Sequence, residues 1–318
     1  MMRDKMMQWR TEILKNLGGL PAPEIRNDEW LYLLKDETRN SIMVEGIFVS
    51  EQELEQILSH GNYETRNAED VLNYFSTAKF LYGLGYENHI HQEFTLTLGL
   101  IRQINKGIME GRKRDPGKIR SGAVRIGGAK TQPPAYDIEK WLELYTRFIN
   151  ENINKMQFLR FQALQHDMFE IIHPFEDGNG RAGRIITNYL FVSLGFPIIT
   201  VKGDEKSKNQ YYKALQETDH GFGALFKNTP NYERLIKTIS GVNTEQLEII
   251  FFKGLRESMD RMIIKLMEHK GENMLPADKL ASTLGYSKAS IRKLVERGKL
   301  VAVKRGKNYF SHPTLLYK

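Results

Sequence analysis

The chain has 318 residues, with 46 Lys and Arg against 39 Asp and Glu for a net charge of +7, and a hydrophobic share of 41% that is enough to bury a sizeable core and excludes intrinsic disorder. The absence of any cysteine excludes a disulfide framework, a cysteine-ligated zinc or iron–sulfur centre and a cysteine nucleophile together. Length alone corresponds to about two domains of roughly 150 residues each.

The first residues, MMRDKMMQWRTEILKN, are charged throughout and hold no apolar run that could serve as a secretory leader. No stretch reaches the roughly 18 apolar residues of a spanning helix, since Ile185 to Val201 is interrupted by Asn188, Gly195 and Pro197. A cytoplasmic chain without membrane contact is the expectation. Residues 1–60 read as an N-terminal helical region, broken at Pro21 and Pro23, with a helix from Asp28 through Val44 that places Trp30, Leu31 and Leu34 on one face and stops at Glu45-Gly46.

Residues 61–241 read as the main domain. Within it the run GRKRDPGKIRSGAVRIGGAKTQPP excludes a long helix, and Ala123-Val124-Arg125-Ile126 reads as a short strand in a hairpin or flap. Asp137 is placed to cap a helix from Ile138 to Asn150, and Met156 to Ile172 forms a second, with Phe158, Phe161, Met168 and Ile172 on its apolar stripe. The segment HPFEDGNGRAGR leads into a helix from Gly180 to Leu194, closed by Gly195 and Pro197. Asn243 and Gln246 resemble a capping box that opens a long helix to about His269, expected as a linker over 242–271.

From Glu272 to Lys318 there are ten Lys and Arg and three acids, a net +7, so residues 1–271 sum to zero and the whole excess lies in a separate module at 272–318. There Ala277 to Leu284 reads as a helix, Gly285-Tyr286 as a turn, Ser287 as a cap and Lys288 to Arg297 as a second helix. A strand pair, Leu300 to Val303 and Tyr309 to Phe310, joins at Arg305 to Asn308, over a small core of Leu280, Leu284, Ile291 and Leu294.

The chemistry concentrates at 173–184. Gly178 and Gly180 let successive N–H groups converge at a helix N-terminus, where anions bind. Arg181 and Arg184, three apart, fall on one helix face and can grip a polyphosphate. Asp177 offers the hard oxygen that a phosphate-bound Mg2+ takes, and His173 can accept a proton from a hydroxyl at neutral pH. These are parts for phosphoryl or nucleotidyl transfer. An EF-hand is excluded by Arg181 at a ligand position, and a Walker loop by the lack of GK[ST].

HPFEDGNGRAGR matches the Fic family signature, HxFx[DE]GNGRxxR, at every specified position, and the chain resembles that family over roughly 60–241. The resemblance implies a mainly α fold: a Fic-type helical core with a short β-hairpin flap. It further implies transfer of AMP from ATP to a Ser, Thr or Tyr hydroxyl of a protein target, with pyrophosphate released. His173 would be the base, Asp177 the Mg2+ ligand, Gly178, Asn179 and Gly180 the anion nest, and Arg181 and Arg184 the grip on the β- and γ-phosphates. Phe175 would anchor the loop in the core. Arg120, Ser121, Gly122, Ala123, Val124, Arg125 and Ile126 would align the target by strand addition, and Tyr211 and Tyr212 would border the nucleobase.

Ser41-Ile-Met-Val-Glu45-Gly46 matches the family's inhibitory motif, [ST]xxxE[GN], N-terminal to the signature. A carboxylate at the γ-phosphate position would pair with Arg184 and spoil the pose for in-line attack, while Ser41 would fix the helix end. The basic module resembles a winged helix-turn-helix, with Lys288, Arg292, Lys293 and Arg305 as candidate DNA contacts. The leading reading is therefore a self-inhibited protein adenylyltransferase using ATP and Mg2+, acting on a protein target or on itself, with a homodimer as the default assembly. The alternatives are a DNA-associated regulator whose core senses nucleotide, and a relative that uses another donor or removes AMP.

Overall fold

The computed structural model describes residues 2–24, 27–60 and 66–317. The boundary expected at 60/61 adjoins residues 61–65, outside the described residues. Helices dominate: α1 (Met2–Asn16), α2 (Asp28–Val44), α3 (Glu51–His60), α4 (Arg66–His91), α5 (Leu98–Ile108), α6 (Ile138–Asn152), α7 (Phe158–Ile172), α8 (Asn179–Ser193), α9 (Glu205–Asp219), α10 (Tyr232–Ile239) and α11 (Glu245–His269) precede a small C-terminal unit. That unit holds β1 (Leu275–Pro276), α12 (Ala277–Leu284), α13 (Lys288–Glu296), β2 (Val303–Arg305) and β3 (Asn308–Ser311).

Helix α8 is the centre: Arg181 through Ser193 are all buried, its polar members included. It packs most extensively on α4, then on α7. Gly85 permits the α4 approach, since a Cβ there would lie 2.9 Å from the Tyr189 carbonyl and 3.2 Å from Val192 Cβ. Helix α2 has the expected bounds and docks on α4, with Trp30, Leu33 and Leu34 buried. The Asn27 side chain caps its first turn by accepting from Glu29 and Trp30 N–H groups.

Four expectations change. The flap residues Ala123–Ile126 pair with no strand among the described residues; the Gln132 side-chain amide closes the loop on Ile126, accepting from its N–H at 3.1 Å and donating to its carbonyl at 3.2 Å. Asp137 does not cap α6: it adopts a left-handed φ of 55° and its carboxylate pairs with Lys140 at 2.9 Å. The capping box at Asn243 is replaced by Asn243 accepting from Glu245 N–H while Thr244 donates to the Glu248 carboxylate. And α11 is more than a linker. It runs through the main core against α1, α7 and α9, burying Leu247, Phe251, Leu255, Met259 and Ile263.

The C-terminal sheet has the order β1-β3-β2, all antiparallel, with Val303 opposite Phe310 and Leu275 opposite Ser311. The first arm of the strand pair thus starts three residues and ends two residues later than expected, and Leu300 instead bridges to Leu316. Leu280 and Ile291 are fully buried in the small core, with Leu284 and Leu294 packed at its margin. Polar contacts lock this unit onto the main body: Arg10 donates to the Gly298 carbonyl at 3.0 Å and pairs with Asp260 at 2.7 Å, and Arg305 pairs with Glu268 at 2.8 Å.

Candidate active site

His173 ends α7 with a left-handed φ of 48°, a conformation a non-glycine residue holds only when its surroundings compel it. Arg120 supplies that compulsion. Its guanidinium donates to the carbonyls of His173 (2.6 Å), Ile172 (2.9 Å), Pro134 (3.0 Å) and Gly122, and its own N–H donates to the Pro174 carbonyl at 2.9 Å. Expected at the target-docking edge, Arg120 is buried at 6% exposure and instead fastens the flap to the catalytic loop. The His173 Nδ1 lies 3.2 Å from the Glu170 carbonyl. A carbonyl only accepts, so Nδ1 carries the proton and Nε2 keeps a free lone pair. Burial lowers the His173 pKa, which keeps the ring neutral at physiological pH.

The loop that follows is built from the inside. Phe175 is buried, and the Asn179 side chain makes two bonds to its backbone, accepting from Phe175 N–H at 2.9 Å and donating to its carbonyl at 2.8 Å. Asn179 was expected to touch the nucleotide through the nest; its side chain is turned inward, leaving only its backbone for an anion. Gly178 turns the chain into α8 at φ 78°, its N–H bound by Asp177 Oδ1 at 2.6 Å. The half-exposed Asp177 carboxylate therefore keeps its second oxygen free. Among the described residues no three metal-ligating side chains converge, so a Mg2+ here would rest on Asp177, phosphate oxygens and water, a set that suits this ion.

The two arginines part company. Arg181 is buried toward α4 and α5, paired with Asp70 at 3.0 Å and 3.6 Å from Asp177. Arg184 turns to α2: its Nε donates to Ser41 Oγ at 2.6 Å, and its Nη2 donates to the Ser41 carbonyl at 2.9 Å and to Glu45 Oε1 at 2.6 Å. Ser41 thus holds the arginine rather than its own helix end. Gly46, at φ 88°, terminates the helix so that Glu45 reaches across the nest. A Cβ on Gly180 would lie 2.8 Å from Glu45 Oε1, so the carboxylate rests directly on the α8 N-terminus. Burial raises the Glu45 pKa, but the Arg184 guanidinium outweighs it and holds the carboxyl below its usual range.

Glu45, His173, Gly180 and Arg184 line one cavity of about 350 Å³, which continues past Ile126 and Tyr212 to Gln216 and Asp219. Tyr212 is half-exposed and donates to the Val44 carbonyl at 3.2 Å. Tyr211, expected beside the nucleobase as well, also lines this cavity but is buried, its hydroxyl 2.6 Å from His166 Nε2. Three acids that the sequence reading missed surround the cavity. Burial pushes Glu170 up to about 7 against the pull of Arg184, burial with Asp219 and Glu170 nearby raises Asp167 strongly, and burial raises Asp219. Only a structure could expose them, since none belongs to a motif: Asp167 and Glu170 lie on α7 and Asp219 ends α9. A larger groove of about 470 Å³ between α2 and α3 contains none of the motif residues.

On the flap, Ser121, Gly122, Ala123 and Arg125 are exposed, with Val124 and Ile126 half-buried. The backbone N–H and C=O groups of Ala123, Val124 and Arg125 make no hydrogen bond among the described residues. On α13, Lys288, Arg292 and Lys293 are exposed and have no ion-pair partner among the described residues, whereas Arg305 is engaged by Glu268.

Residues 95–191 match the family model described as the Fic/DOC family. A probable protein adenylyltransferase of Aquifex aeolicus is 29% identical over 288 residues, covering 88% of this chain and 86% of that protein. The protein adenylyltransferase Fic of Drosophila erecta is 30% identical over 134 residues; there the match takes in 41% of this chain and 26% of the relative. In fold the chain is similar to a Fic domain containing signaling protein from Bacteroides thetaiotaomicron, with a TM-score of 0.63 at 18% identity over 84% of this chain and 98% of that one. It is also similar to a Fic family protein from Desulfovibrio desulfuricans, with a TM-score of 0.53 at 16% identity over 97% of this chain and 95% of that one.

Proposed function

For a chain whose residues 95–191 match the model of the Fic/DOC family, we propose a self-inhibited nucleotidyltransferase, a protein adenylyltransferase that moves AMP from ATP to a hydroxyl on a protein. The observation that carries this reading is the shared cavity of His173, Gly180 and Arg184 with Glu45 seated in it. His173 Nε2 takes the proton as the target oxygen attacks the α-phosphorus; the new O–P bond forms, the bond between the α- and β-phosphoryl groups breaks, and pyrophosphate leaves. The N–H groups at the start of α8 hold phosphate oxygens. Asp177 would hold Mg2+, which when bound neutralises phosphate charge. The flap offers its unpaired backbone to the target chain.

Glu45 occupies the guanidinium that would orient the triphosphate, which is the basis for self-inhibition. Incubation of wild-type, Glu45→Gly and His173→Ala proteins with magnesium and ATP labelled on the α-phosphate, read by intact-protein mass, tests the scheme. One AMP added mainly to the Glu45 variant and absent without His173 is expected. Near-full transfer by His173→Ala would overturn the mechanism.

A second role, duplex DNA contact by α13, is supported by Lys288, Arg292 and Lys293, exposed and without an ion-pair partner among the described residues, within a module of net charge +7. Binding that weakens steeply with salt is expected, and no binding at about 50 mM salt would remove this role.

A further inference from the structure

Residues 111–130 carry seven Lys and Arg and one acid, seven minus one giving +6, inside a stretch, 1–271, that sums to zero. Two of the seven have structural duties: Arg120 fastens the flap, and Arg112 pairs with Asp70 at 3.1 Å. Lys118 is 3.7 Å from Asp115. Lys113, Arg114 and Arg125 are exposed and have no ion-pair partner among the described residues.

The backbone that carries these cations is held against the catalytic loop. Asn105, buried on α5, accepts from the Gly117 N–H at 2.9 Å and donates to the Asp177 carbonyl at 2.9 Å, so one amide joins the basic loop to the loop that bears the chemistry. Arg102 adds a bond to the Gly117 carbonyl at 3.1 Å, and Gly117, at φ 79°, has no room for a Cβ, which would lie 2.7 Å from the Arg102 carbonyl. Between them opens a cleft of about 270 Å³ lined by Lys113, Arg114, Asp115 and Lys118 of the basic loop and by Glu176 and Asp177 of the loop before α8. It lies beside the flap; Asp177 is 3.6 Å from Arg181 and Asp115 is 3.7 Å from Lys118, which leaves Glu176 as its one acid without an ion-pair partner among the described residues.

We propose that this cleft docks an acidic segment of the target polypeptide, next to the hydroxyl that receives AMP. The inference rests on the transferase reading and adds the target's chemistry to it. The flap backbone accepts any sequence, so it confers no selectivity; fixed cations at its edge supply it by attracting carboxylates and repelling basic segments. A cleft of this size takes one or two side chains, which favours a peptide over a nucleic-acid backbone.

The test uses the full chain and short synthetic peptides that share a central tyrosine flanked by glutamate, glutamine or lysine. Binding of fluorescent peptides to the wild-type chain is read by anisotropy, and AMP transfer to the same peptides is read with the Glu45→Gly protein. The glutamate peptide should bind roughly tenfold more tightly than the glutamine peptide, and the gap should close at about 0.5 M salt. Lys113→Glu combined with Arg114→Glu, with an unchanged melting temperature as the folding control, should reverse the order in favour of the lysine peptide. Equal binding of glutamate and glutamine peptides, a preference that survives the reversal, or tighter capture of a labelled DNA duplex by the same charges would overturn the proposal. Intact preference with no AMP transfer from any variant would overturn the transferase reading and leave the acidic docking site standing.

Discussion

Replacing Glu45 by Gln separates charge from bulk at the contact with Arg184. The amide keeps the side-chain length and one acceptor but removes the negative charge 2.6 Å from a guanidinium that is 4% exposed. A buried charge-assisted hydrogen bond is worth about 1.5–3 kcal/mol. The Glu45 side chain is 33% exposed, so solvent trims that to about 2 kcal/mol. Under the proposed self-inhibition, in which Glu45 competes with the triphosphate for Arg184, that energy converts to roughly 30-fold in rate. Glu45→Gln should therefore raise the initial rate of transfer from α-labelled ATP by roughly 5- to 30-fold, and Glu45→Gly by at least as much, because it also clears the space above Gly180. Arg184 keeps both contacts to Ser41, so neither variant should lose much stability. Rates equal to wild type in both variants would refute the brake; a silent Gln variant beside an active Gly variant would refute the charge argument and leave simple occlusion.

Three further outcomes follow from other contacts. His173→Ala should abolish transfer while leaving ATP affinity within a few-fold by calorimetry, and because burial lowers the His173 pKa, the acid limb of the wild-type rate profile should fall below pH 6.5. Arg120→Met strands carbonyls at His173, Ile172 and Pro134, so it should cost about 3 kcal/mol in urea unfolding and depress kcat more than ATP binding. Glu37, buried with one carboxyl oxygen unpartnered, is pushed by burial from 4.5 up to about 7, against hydrogen bonding from Tyr74 and the charge of Arg184. The native state thus holds a proton that the unfolded chain releases between pH 4.5 and 7, and wild-type stability falls as pH rises through that window. Glu37→Gln should be neutral at pH 5 and stabilise by about 1–3 kcal/mol at pH 8; an equal gain at both pH values would refute the assignment.

Much of this was legible in the linear chain because its signals are local. Gly178 and Gly180 announce a turn into a helix, Gly46 announces the end of another, and the apolar periodicity of α2 and α7 gives their bounds within two residues. What escaped depends on contacts between residues distant in sequence. Arg120 looked like a surface flap residue, and only the fold shows four carbonyls converging on it. Arg181 and Arg184 share a helix face by arithmetic, yet Asp70 and Ser41 draw them to different neighbours. Tyr211 and Tyr212 are adjacent and both line the cavity, yet a helix turns adjacent side chains about 100° apart, so Tyr211 is buried against His166 while Tyr212 stays half-exposed. The long helix α11 read as a linker because its moderate polarity hid how completely α1, α7 and α9 cover it.

Helix α2 is a strut about 25 Å long, from its 17 residues at 1.5 Å each, loaded at both ends. At one end Glu29 is gripped by Arg261 of α11, whose guanidinium also lies 3.7 Å from the Tyr32 ring; midway, Asp36 takes Lys202 at 2.8 Å; at the other end Glu45 meets Arg184. A strut so pinned cannot slide out of the nest by small increments. Either its last turn frays at Glu45-Gly46 while the shaft stays seated, or the whole shaft lifts and the far grip on α11 must open in the same motion. The two escapes leave different marks in hydrogen exchange: fraying exposes only the amides near residue 45, whereas lifting exposes those near residues 29 and 45 together.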